Sequence, residues 1–313
     1  MKISFVIPAY NEENYLGRSL EALFREIKTV ENCDIEVIVV DNASTDKTGE
    51  VAQSFPGVIL VRENRKGITF ARQAGLQVST GDIIANIDSD SVLTPGWIQT
   101  VIQEFTKNPK LIGLSGPFIY YDLSIFVNIF IRLYYVFGYI TYLVNRHIIN
   151  VSSMLQGGNF VVRRSGFDAI GGHNLSLTFY GEDTDLARRL HKVGPVKFTF
   201  RLPMYSSGRR LKAEGLLHMA AKYSLNHFWT ISFKKSFNES YQDFRFVLPQ
   251  DVVITDMSKF DWYWRLTKGV IAAFLLMSVG VTYYVVQAQG GMYQISSTMY
   301  EQTKKFAQEI WYR

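Results

Sequence analysis

Four short apolar runs in the first ninety residues have the composition of buried strands. They are residues 3–8, 35–41, 57–61 and 82–88, and each is rich in β-branched or aliphatic side chains. Continuous apolar runs of this length are typical of parallel strands that are covered on both faces.

Stretches with helical periodicity separate these runs. Apolar side chains recur every three to four residues between the first two runs, at Leu16, Leu20, Leu23, Phe24 and Ile27. Asn11 precedes this stretch as a candidate N-cap, and residues 67–78 predict another helix. Strands and helices that alternate through such short loops predict an α/β fold with a mostly parallel central sheet flanked by helices.

Acidic side chains follow two of the predicted strands. Asp41 ends one run and Asp88 ends another, with Ser89 and Asp90 directly after it. The carboxyl ends of parallel strands meet at one edge of a sheet, where the ligands of open α/β folds bind. A polar turn, or a cap for the helix that Pro95 introduces, also explains an isolated Asp-Ser-Asp. Acids delivered by two separate strands favour a ligand site.

The chain lacks the glycine-rich loops that usually hold nucleotide phosphates. There is no G-x-G-x-x-G after the first strand and no G-x-x-x-x-G-K, and the first strand leads instead into "PAYNEE". A phosphate site without such a loop can use a divalent cation held by carboxylate oxygens, and Mg²⁺ and Mn²⁺ suit these ligands. The two acids after residue 87 are therefore candidate metal ligands.

Six motifs, in order along the chain, resemble the family 2 glycosyltransferases. In the first third they are "SFVIPAYNEENYLGRSLEAL", "VIVVDNASTDKT", "ENRKGITFARQAGL" and "IANIDSDSVLTPGW". Further on they are "GGNFVVRRSGFDAIGGHN" and "YGEDTDLARRLHKVG". The resemblance covers roughly residues 3 to 200 and implies the GT-A fold of that family, a Rossmann-like α/β architecture.

The resemblance also implies roles for residues in the first half. It places a nucleoside diphosphate against Pro8, Tyr10, Glu12, Asp41, Arg72, Asp88 and Ser89. Of these, Asp41 would read the edge of the base, and Asp88 would approach both ribose and metal. Asp90 would ligate Mn²⁺ or Mg²⁺, and a bound cation stabilises the negative charge that builds on a diphosphate leaving group.

On the acceptor side, the resemblance points to the "GED" sequence. Asp183 matches the general base of inverting members, with Glu182 beside it, and a carboxylate of ordinary pKa, about 4, is ionised at neutral pH. Gly157 and Gly158 would let the backbone approach the ligand closely. Asn159 is a further candidate contact to the sugar or acceptor. Arg209 and Arg210 are candidate contacts to the donor diphosphate or to an acceptor phosphate, and lipid headgroups are the alternative. The acids of "GEDTDL" also suit the first turn of a helix, whose dipole they complement.

The net charge of +5 is unevenly distributed. No acid lies in the stretch from Leu186 to Ala213. This stretch contains eight basic residues: Arg188, Arg189, Lys192, Lys197, Arg201, Arg209, Arg210 and Lys212. A solvated basic face would explain this run, and so would attraction to anionic lipid or to ligand phosphates. No nucleic-acid-binding motif accompanies it, so nucleic acid is not an expected partner.

Two features indicate the compartment. Cys33 is the single cysteine, so an intramolecular disulfide is impossible. The N-terminus begins with a strand and lacks the apolar stretch of a signal peptide. We therefore expect a catalytic part that lies in the cytoplasm.

Residues 123–144 form the first long apolar segment. Arg132 lies near its middle and, with Ser124 and Asn128, forms a narrow polar stripe at helical spacing. A single membrane crossing here would separate the two halves of the site, so that topology is rejected. An amphipathic or hairpin element in the membrane interface remains, as does a buried helix over the acceptor site.

Residues 269–286 form the second apolar segment, which is uncharged. At about 1.5 Å per residue a helix of this length reaches roughly 27 Å, just enough to span a bilayer. Aromatic residues at 262–264, followed by Arg265 and Lys268, precede it and would keep the catalytic part on the cytoplasmic side. A buried or interfacial helix is the alternative.

These patterns divide the chain into four predicted regions. Residues 1–118 are the nucleotide-sugar half, 119–150 a hydrophobic helical insertion, 151–250 the acceptor half with a basic helical region, and 251–313 a membrane-associated helix and tail. The expected function is a metal-dependent inverting glycosyltransferase that moves a sugar from a UDP-linked donor to a lipid or lipid-linked glycan. The absence of a Gln-x-x-Arg-Trp motif favours addition of a single sugar. A polyprenyl-phosphate glycosyltransferase is one alternative, and a non-catalytic sugar-nucleotide-binding scaffold at a membrane is another.

Overall fold

A computed structural model describes residues 1–144, 154–177, 181–216, 218–220, 222, 223 and 226. The strands within this part are β1 (Lys2–Ala9), β2 (Asp34–Asp41), β3 (Val58–Arg62), β4 (Ile83–Ile87), β5 (Val92–Leu93), β6 (Gly113–Ser115), β7 (Phe118–Tyr120), β8 (Asn159–Arg163), β9 (Val196–Phe198) and β10 (Met204–Ser206). The helices are α1 (Leu16–Ile27), α2 (Thr48–Gln53), α3 (Ile68–Val78), α4 (Trp97–Lys107), α5 (Ile125–Val144), α6 (Arg164–Ile170), α7 (Glu182–His191) and α8 (Arg209–Glu214).

The described strands form two sheets. The larger has the order β3-β2-β1-β4-β8-β6-β9, and the smaller has the order β5-β10-β7. Strands β1 to β4 are parallel to one another, whereas β8 runs antiparallel to both of its neighbours, β4 and β6. The expected α/β fold with a mainly parallel sheet flanked by helices is confirmed.

The core lies on both faces of the larger sheet, as continuous apolar strands require. One cluster contains Phe5, Leu20 and Trp97 from β1, α1 and α4, and the other contains Val6, Phe160 and Leu186 from β1, β8 and α7. Phe5 and Val6, which are neighbours in β1, belong to different clusters because successive side chains of a strand point to opposite faces of the sheet.

The start of α1 differs from the expected one. The helix begins at Leu16, and Asn11 lies outside it with a positive φ of 52°. The Asn11 side-chain oxygen accepts a hydrogen bond from the backbone N–H of Thr45 instead, at 2.8 Å. The predicted cap at Asn11 is therefore wrong, because the polar residues after β1 form a loop that is tied to the loop after β2.

Helix α5 is one continuous helix of 20 residues, so the hairpin alternative for this segment is wrong. Asn128 and Arg132 are buried, whereas Phe126 is 79% exposed and Phe130 is also exposed. Within the described part of the chain, no helix is both long and apolar enough to cross a bilayer.

Contacts divide the chain into two compact units. The first contains Met1–Ser124 and continues from Phe137, and Ile125–Val136 belongs to the second. The predicted regions 1–118 and 151–250 thus share one unit over their described residues. The boundaries of the four regions stay predictions, and the candidate span 269–286 lies outside the described residues.

Candidate active site

Four carboxylates from three parts of the first unit pair with two arginines, and a fifth, that of Asp183, adjoins Glu182 in sequence. Glu12 follows β1, Asp88 and Asp90 follow β4, and Glu182 and Asp183 begin α7. β1 and β4 are parallel neighbours, so their carboxyl ends deliver the first three acids to the same edge of the sheet. The expectation that acids gather at this edge agrees with the geometry.

Arg209, the first residue of α8, joins Glu12 to Asp90. Its Nη1 donates to Glu12 Oε2 at 3.0 Å, and its Nη2 donates to Glu12 Oε1. The same Nη2 lies 3.2 Å from Asp90 Oδ2. The guanidinium also stacks on the ring of Tyr15, 4.5 Å from its centre. Burial alone would lower the pKa of Arg209, but Asp90 and Glu12 outweigh it and raise the pKa, so this side chain is a permanent cation.

Arg72, on α3, joins Asp88 to Glu182. Nη1 donates to Glu182 Oε1 at 3.0 Å, and Nη2 donates to Asp88 Oδ1 at 3.3 Å. The guanidinium lies 5.2 Å from the ring centre of Phe160, and Arg72 is 1% exposed. The structure therefore places Arg72 behind the carboxylates rather than on an open face beside a nucleotide.

The Gly157–Gly158 loop contacts both halves of the site. The Gly157 N–H donates to Asp183 Oδ2 at 3.2 Å. Gly158 has a φ of 78°, and a Cβ at this position would lie 1.9 Å from Asp88 Oδ2. Only a glycine allows the Asp88 carboxylate to lie against this backbone. The close approach of this loop to a ligand stays a prediction.

The site carries excess negative charge. Burial, assisted by Glu12 and Asp88, raises the pKa of Asp90 to about 7 against the opposing effect of Arg209. Burial, together with the adjacent Asp183, also raises the pKa of Glu182, although Arg72 opposes the shift. Five carboxylates against two guanidinium groups is a donor set that a divalent cation would neutralise, and hard carboxylate oxygens are the ligands of Mg²⁺ and Mn²⁺.

Asp88 and Asp90 fit a metal with few protein ligands. No group of three or more acidic, histidine or cysteine side chains is arranged to hold an ion among the residues that the structure describes. Mg²⁺ sites at phosphates commonly use one or two carboxylates, with the remaining positions filled by substrate oxygens and water. Asp88 and Asp90 supply such a pair.

Other residues predicted to contact the nucleotide lie at the neighbouring strand ends. Asp41 ends β2, and its Oδ1 accepts a hydrogen bond from the Ser44 N–H at 3.0 Å. Tyr10 follows β1, and its hydroxyl accepts a hydrogen bond from Lys66 Nζ at 2.9 Å. Two further predicted contacts, Pro8 in β1 and Ser89 after β4, are buried.

Asn159 lies in the core rather than at the site surface. It is fully buried, and its Nδ2 donates to the carbonyl oxygens of Gly116 and Leu202 at 3.0 and 2.9 Å. Its Oδ1 accepts a hydrogen bond from Trp97 Nε1 at 3.2 Å. The predicted sugar or acceptor contact at Asn159 is therefore wrong, because its amide is used to join β8 to the loops beside it.

Arg210 pairs with Glu214 inside α8, at 3.0 Å.

The basic run is not a uniformly solvated face. Six of its eight cations pair with acids of the chain: Arg188 and Arg189 with Asp185, Lys197 with Glu104, Arg209 with Glu12 and Asp90, Arg210 with Glu214, and Lys212 with Asp122. These partners lie before or after the run in sequence, so the absence of acids within it says little about its surroundings in space. Most of these charges serve the fold or the site.

Three residues near the site were missed by the sequence analysis. Lys66 contacts Tyr10, Tyr15 lies under Arg209, and Asp122 accepts hydrogen bonds from the Gly208 N–H and the Ser207 hydroxyl. Lys66 and Tyr15 stand inside quoted motifs, where their type and position could have drawn attention. Asp122 has no comparable signal, because its partners lie some 85 residues away.

Comparison with known proteins identifies the family of this chain. The model of the family described as Glycosyl transferase family 2 matches residues 4–171, which is more than half of the chain. The chain belongs to glycosyl transferase family 2. Membership of this family, together with relatives that are named as glycosyltransferases, supports an enzyme of the glycosyltransferase class.

Curated relatives of this family 2 glycosyltransferase match just under two fifths of the chain. Glycosyltransferase GlyG of Streptococcus pneumoniae is 32% identical over 127 residues, which are 39% of this chain and 40% of the relative. The dolichol-phosphate mannosyltransferase of Pyrococcus furiosus is 32% identical over 124 residues, which are 38% of this chain and 34% of the relative. The chain thus matches well under two thirds of each relative's length.

Solved structures match the fold of this glycosyltransferase at low identity. Mannosyltransferase PcManGT from Pyrobaculum calidifontis, in complex with GDP-Man and Mn²⁺, has a TM-score of 0.55 and 15% identity, over 99% of this chain and 84% of that chain. Glucosyl-3-phosphoglycerate synthase from Mycobacterium tuberculosis, in complex with Mn²⁺, UDP and glucosyl-3-phosphoglycerate, has a TM-score of 0.51 and 19% identity, over 74% and 79% of the two chains. Both likenesses support the GT-A fold.

Proposed function

We propose that this family 2 enzyme is a metal-dependent inverting glycosyltransferase that moves one sugar from a UDP-linked donor to a lipid or lipid-linked glycan. Its catalytic part would lie at the cytoplasmic face of a membrane. The proposal is built on one observation above all. Three carboxylates at one sheet edge and a fourth at the start of α7 pair with only two guanidinium groups, and a cation-bound diphosphate would balance this excess of negative charge.

On the donor side, Asp88 and Asp90 would hold Mn²⁺ or Mg²⁺. When bound, the cation supplies positive charge for the diphosphate as the sugar–oxygen bond breaks. Asp41 and Tyr10 would contact the base, since they lie on the neighbouring strand end and on the loop after β1. PcManGT and the mycobacterial synthase, both named as complexes with Mn²⁺ and a nucleotide or nucleotide sugar, support this type of donor.

On the acceptor side, Asp183 would remove the proton from the attacking hydroxyl. Its Oδ2 receives the Gly157 N–H, and its Oδ1 receives the N–H of Thr184 at 2.7 Å, so both oxygens are held in place. Glu182 is bound to Arg72, which suits a role in fixing the start of α7 rather than in proton transfer. A positioned general base contributes typically 10² to 10⁴-fold in rate, so its orientation matters.

The acceptor is proposed to be a lipid because α5 presents exposed apolar side chains. Phe126 and Phe130 in the second unit are exposed, and so is Leu133 on the same helix. Such a surface is typical of a helix that lies in a membrane interface.

A site-specific probe tests this contact independently of any other membrane anchor. In a Cys33→Ser background, an environment-sensitive dye on Phe126→Cys should shift to the blue when anionic vesicles are added. The same dye on Leu175→Cys, an exposed apolar position elsewhere in the chain, should not shift. An unchanged spectrum at position 126 would contradict the interfacial role of α5.

A second candidate function is transfer to a polyprenyl phosphate. The 32% identity to a dolichol-phosphate mannosyltransferase favours it. A phosphate acceptor is already anionic and needs little help from a base. The Asp183→Asn variant therefore separates the two: turnover onto a hydroxyl acceptor should nearly vanish, whereas turnover onto a phosphate acceptor should fall much less.

The donor class is tested by thermal unfolding of the detergent-purified protein. UDP-, GDP-, dTDP- and CMP-sugars are added with and without Mn²⁺, to the natural protein and to Asp90→Ala. A ligand at about 100 times its dissociation constant adds roughly 2.7 kcal/mol. Stabilisation by UDP-sugars only with Mn²⁺, and its loss in Asp90→Ala, is the expected result. Stabilisation by another nucleotide sugar would replace the donor, and no response to any would contradict the proposal.

A further inference from the structure

Arg209 holds a position that a metal ion would also need. Its guanidinium forms two hydrogen bonds with Glu12 and lies 3.2 Å from Asp90 Oδ2. Mg²⁺ binds carboxylate oxygens at about 2.1 Å and carries two positive charges. A cation on this oxygen of Asp90 would lie within a few ångströms of the guanidinium, where like charges repel strongly in a partly buried site.

The attachment of Arg209 differs from that of a core residue. It is the first residue of the six-residue helix α8, and it reaches Glu12 across 197 positions of sequence. The backbone just before it is anchored separately, because the Gly208 N–H donates to Asp122 and Lys212 pairs with the same carboxylate. The Arg209 side chain can therefore change partner while Asp122 keeps the start of α8 in place.

We propose that Arg209 is an exchangeable counter-ion: it competes with the divalent cation for Asp90, and the donor diphosphate ends the competition by taking Arg209 as its own partner. This inference rests on the proposed donor site. Arginine binds phosphate oxygens through the same planar fork that now binds Glu12. Metal alone would thus bind weakly, and metal together with a nucleoside diphosphate would bind tightly.

The proposal predicts opposite effects of one substitution on two binding reactions. In Arg209→Gln the competitor is gone, so Mn²⁺ alone should bind at least about 5-fold more tightly than to the natural protein. The partner of the diphosphate is also gone, so UDP in saturating Mn²⁺ should bind at least about 5-fold more weakly. Coupling between two ligands of one site typically falls in the range of about 5- to 150-fold.

Isothermal titration calorimetry on the full chain in detergent measures both constants, with Mn²⁺ as one titrant and UDP as the other. Lys197→Gln is the matched control, because it removes one positive charge from an ion pair that joins β9 to Glu104 of α4, away from the site. Asp90→Asn removes a proposed metal ligand, so the Mn²⁺ binding that this variant loses is the binding at the site. Equal thermal stability of Arg209→Gln and Lys197→Gln in Mn²⁺ would exclude a folding defect as the cause.

Tighter binding of Mn²⁺ together with weaker binding of UDP in Arg209→Gln supports the exchange. Tighter binding of both ligands to Arg209→Gln would overturn it, because a simple change in local charge then suffices. Unchanged Mn²⁺ affinity would overturn it as well, while leaving the proposed function intact if Asp90→Asn still abolishes binding. Mn²⁺ that binds no protein, or binds Asp90→Asn normally, would overturn both the exchange and the proposed metal site.

Discussion

The two arginines of the site have different surroundings. Arg72 extends from the eleven-residue helix α3, packs against Phe160 and is 1% exposed. Arg209 extends from the short helix α8, stacks on Tyr15 and keeps 13% of its side chain exposed. Each bridges two carboxylates, yet one lies inside the core and the other lies at its margin.

The difference indicates two kinds of ion pair in one site. The Arg72 pairs connect the end of β4 to the start of α7, so they fix the distance between the metal side and the proton-transfer side. The Arg209 pairs connect two acids of the donor side, where a ligand would add charges of its own. Buried ion pairs are not a general source of stability, because the desolvation of both charges offsets their attraction. In this site, the ion pairs of Arg72 hold two acids in position, whereas the ion pairs of Arg209 can be exchanged for contacts with a ligand.

Replacing Arg72 should cause the largest loss of stability. Arg72→Gln leaves Glu182 and Asp88 without their shared cation, and breaking such a pair typically costs about 3–5 kcal/mol. Urea unfolding should show most of this loss even in Mn²⁺, because a cation at Asp88 does not replace the partner of Glu182. Arg209→Gln should lose stability in metal-free buffer and recover part of it in Mn²⁺, because the cation replaces the guanidinium. Recovery of both variants by Mn²⁺ would remove the distinction between the two arginines.

Replacing Gly158 should have a smaller effect on stability, of about 2 kcal/mol. Gly158→Ala lowers the free energy of unfolding for two reasons: alanine disfavours the positive φ, and its Cβ would collide with the Asp88 carboxylate. Gly171→Ala is the matched control, since its φ is 73° and a Cβ there has no atom within 4 Å. Urea unfolding should show a loss of only about 1 kcal/mol in the control. Equal losses would mean that the close approach of Asp88 has no energetic weight.

The smallest effect concerns His173, which lies on the Arg72 side. Burial, with Arg72 and Arg189 nearby, lowers the pKa of His173 to about 3. The unfolded chain, with an ordinary histidine pKa near 6.5, binds the proton first, so this contribution is present above pH 6.5 and is lost as the pH falls toward 3. Stability should fall by about 1 kcal/mol from this group between pH 7 and 5.5.

His173→Phe keeps the contact with Phe167, whose ring centre lies 5.0 Å away, and removes the titrating group. Urea unfolding of this variant should show a shallower dependence on pH than the natural protein over the same interval. An unchanged slope would mean that the pKa of His173 is the same in the folded and the unfolded protein, so that burial and Arg72 do not shift it.

Local sequence determined much of the fold and of the donor edge. The strands carry continuous apolar runs, and Asp41, Asp88 and Asp90 directly follow them, so their common edge follows from parallel pairing. Helix α5 was expected from its periodicity, but that periodicity does not distinguish a membrane interface from a buried position.

Other parts of the site depend on pairing that the sequence does not display. Arg209 reaches Glu12 only because β10 lies between β5 and β7, which brings α8 back to the first loop. Asn159 follows two glycines of a motif and so resembled a ligand contact, yet the antiparallel placement of β8 turns its amide into the core. Arg72 was expected at the nucleotide, whereas packing against Phe160 places it behind the acids.

The central claim is that the two groups of acids divide the work, with Asp90 binding the donor and Asp183 serving the acceptor. The most direct measurement is the dissociation constant of the donor nucleotide in Mn²⁺ for the natural protein, Asp90→Asn and Asp183→Asn. We expect Asp90→Asn to lose Mn²⁺-dependent binding, whereas Asp183→Asn should bind the nucleotide as the natural protein does. Normal binding to Asp90→Asn, or loss of binding in Asp183→Asn, would contradict it.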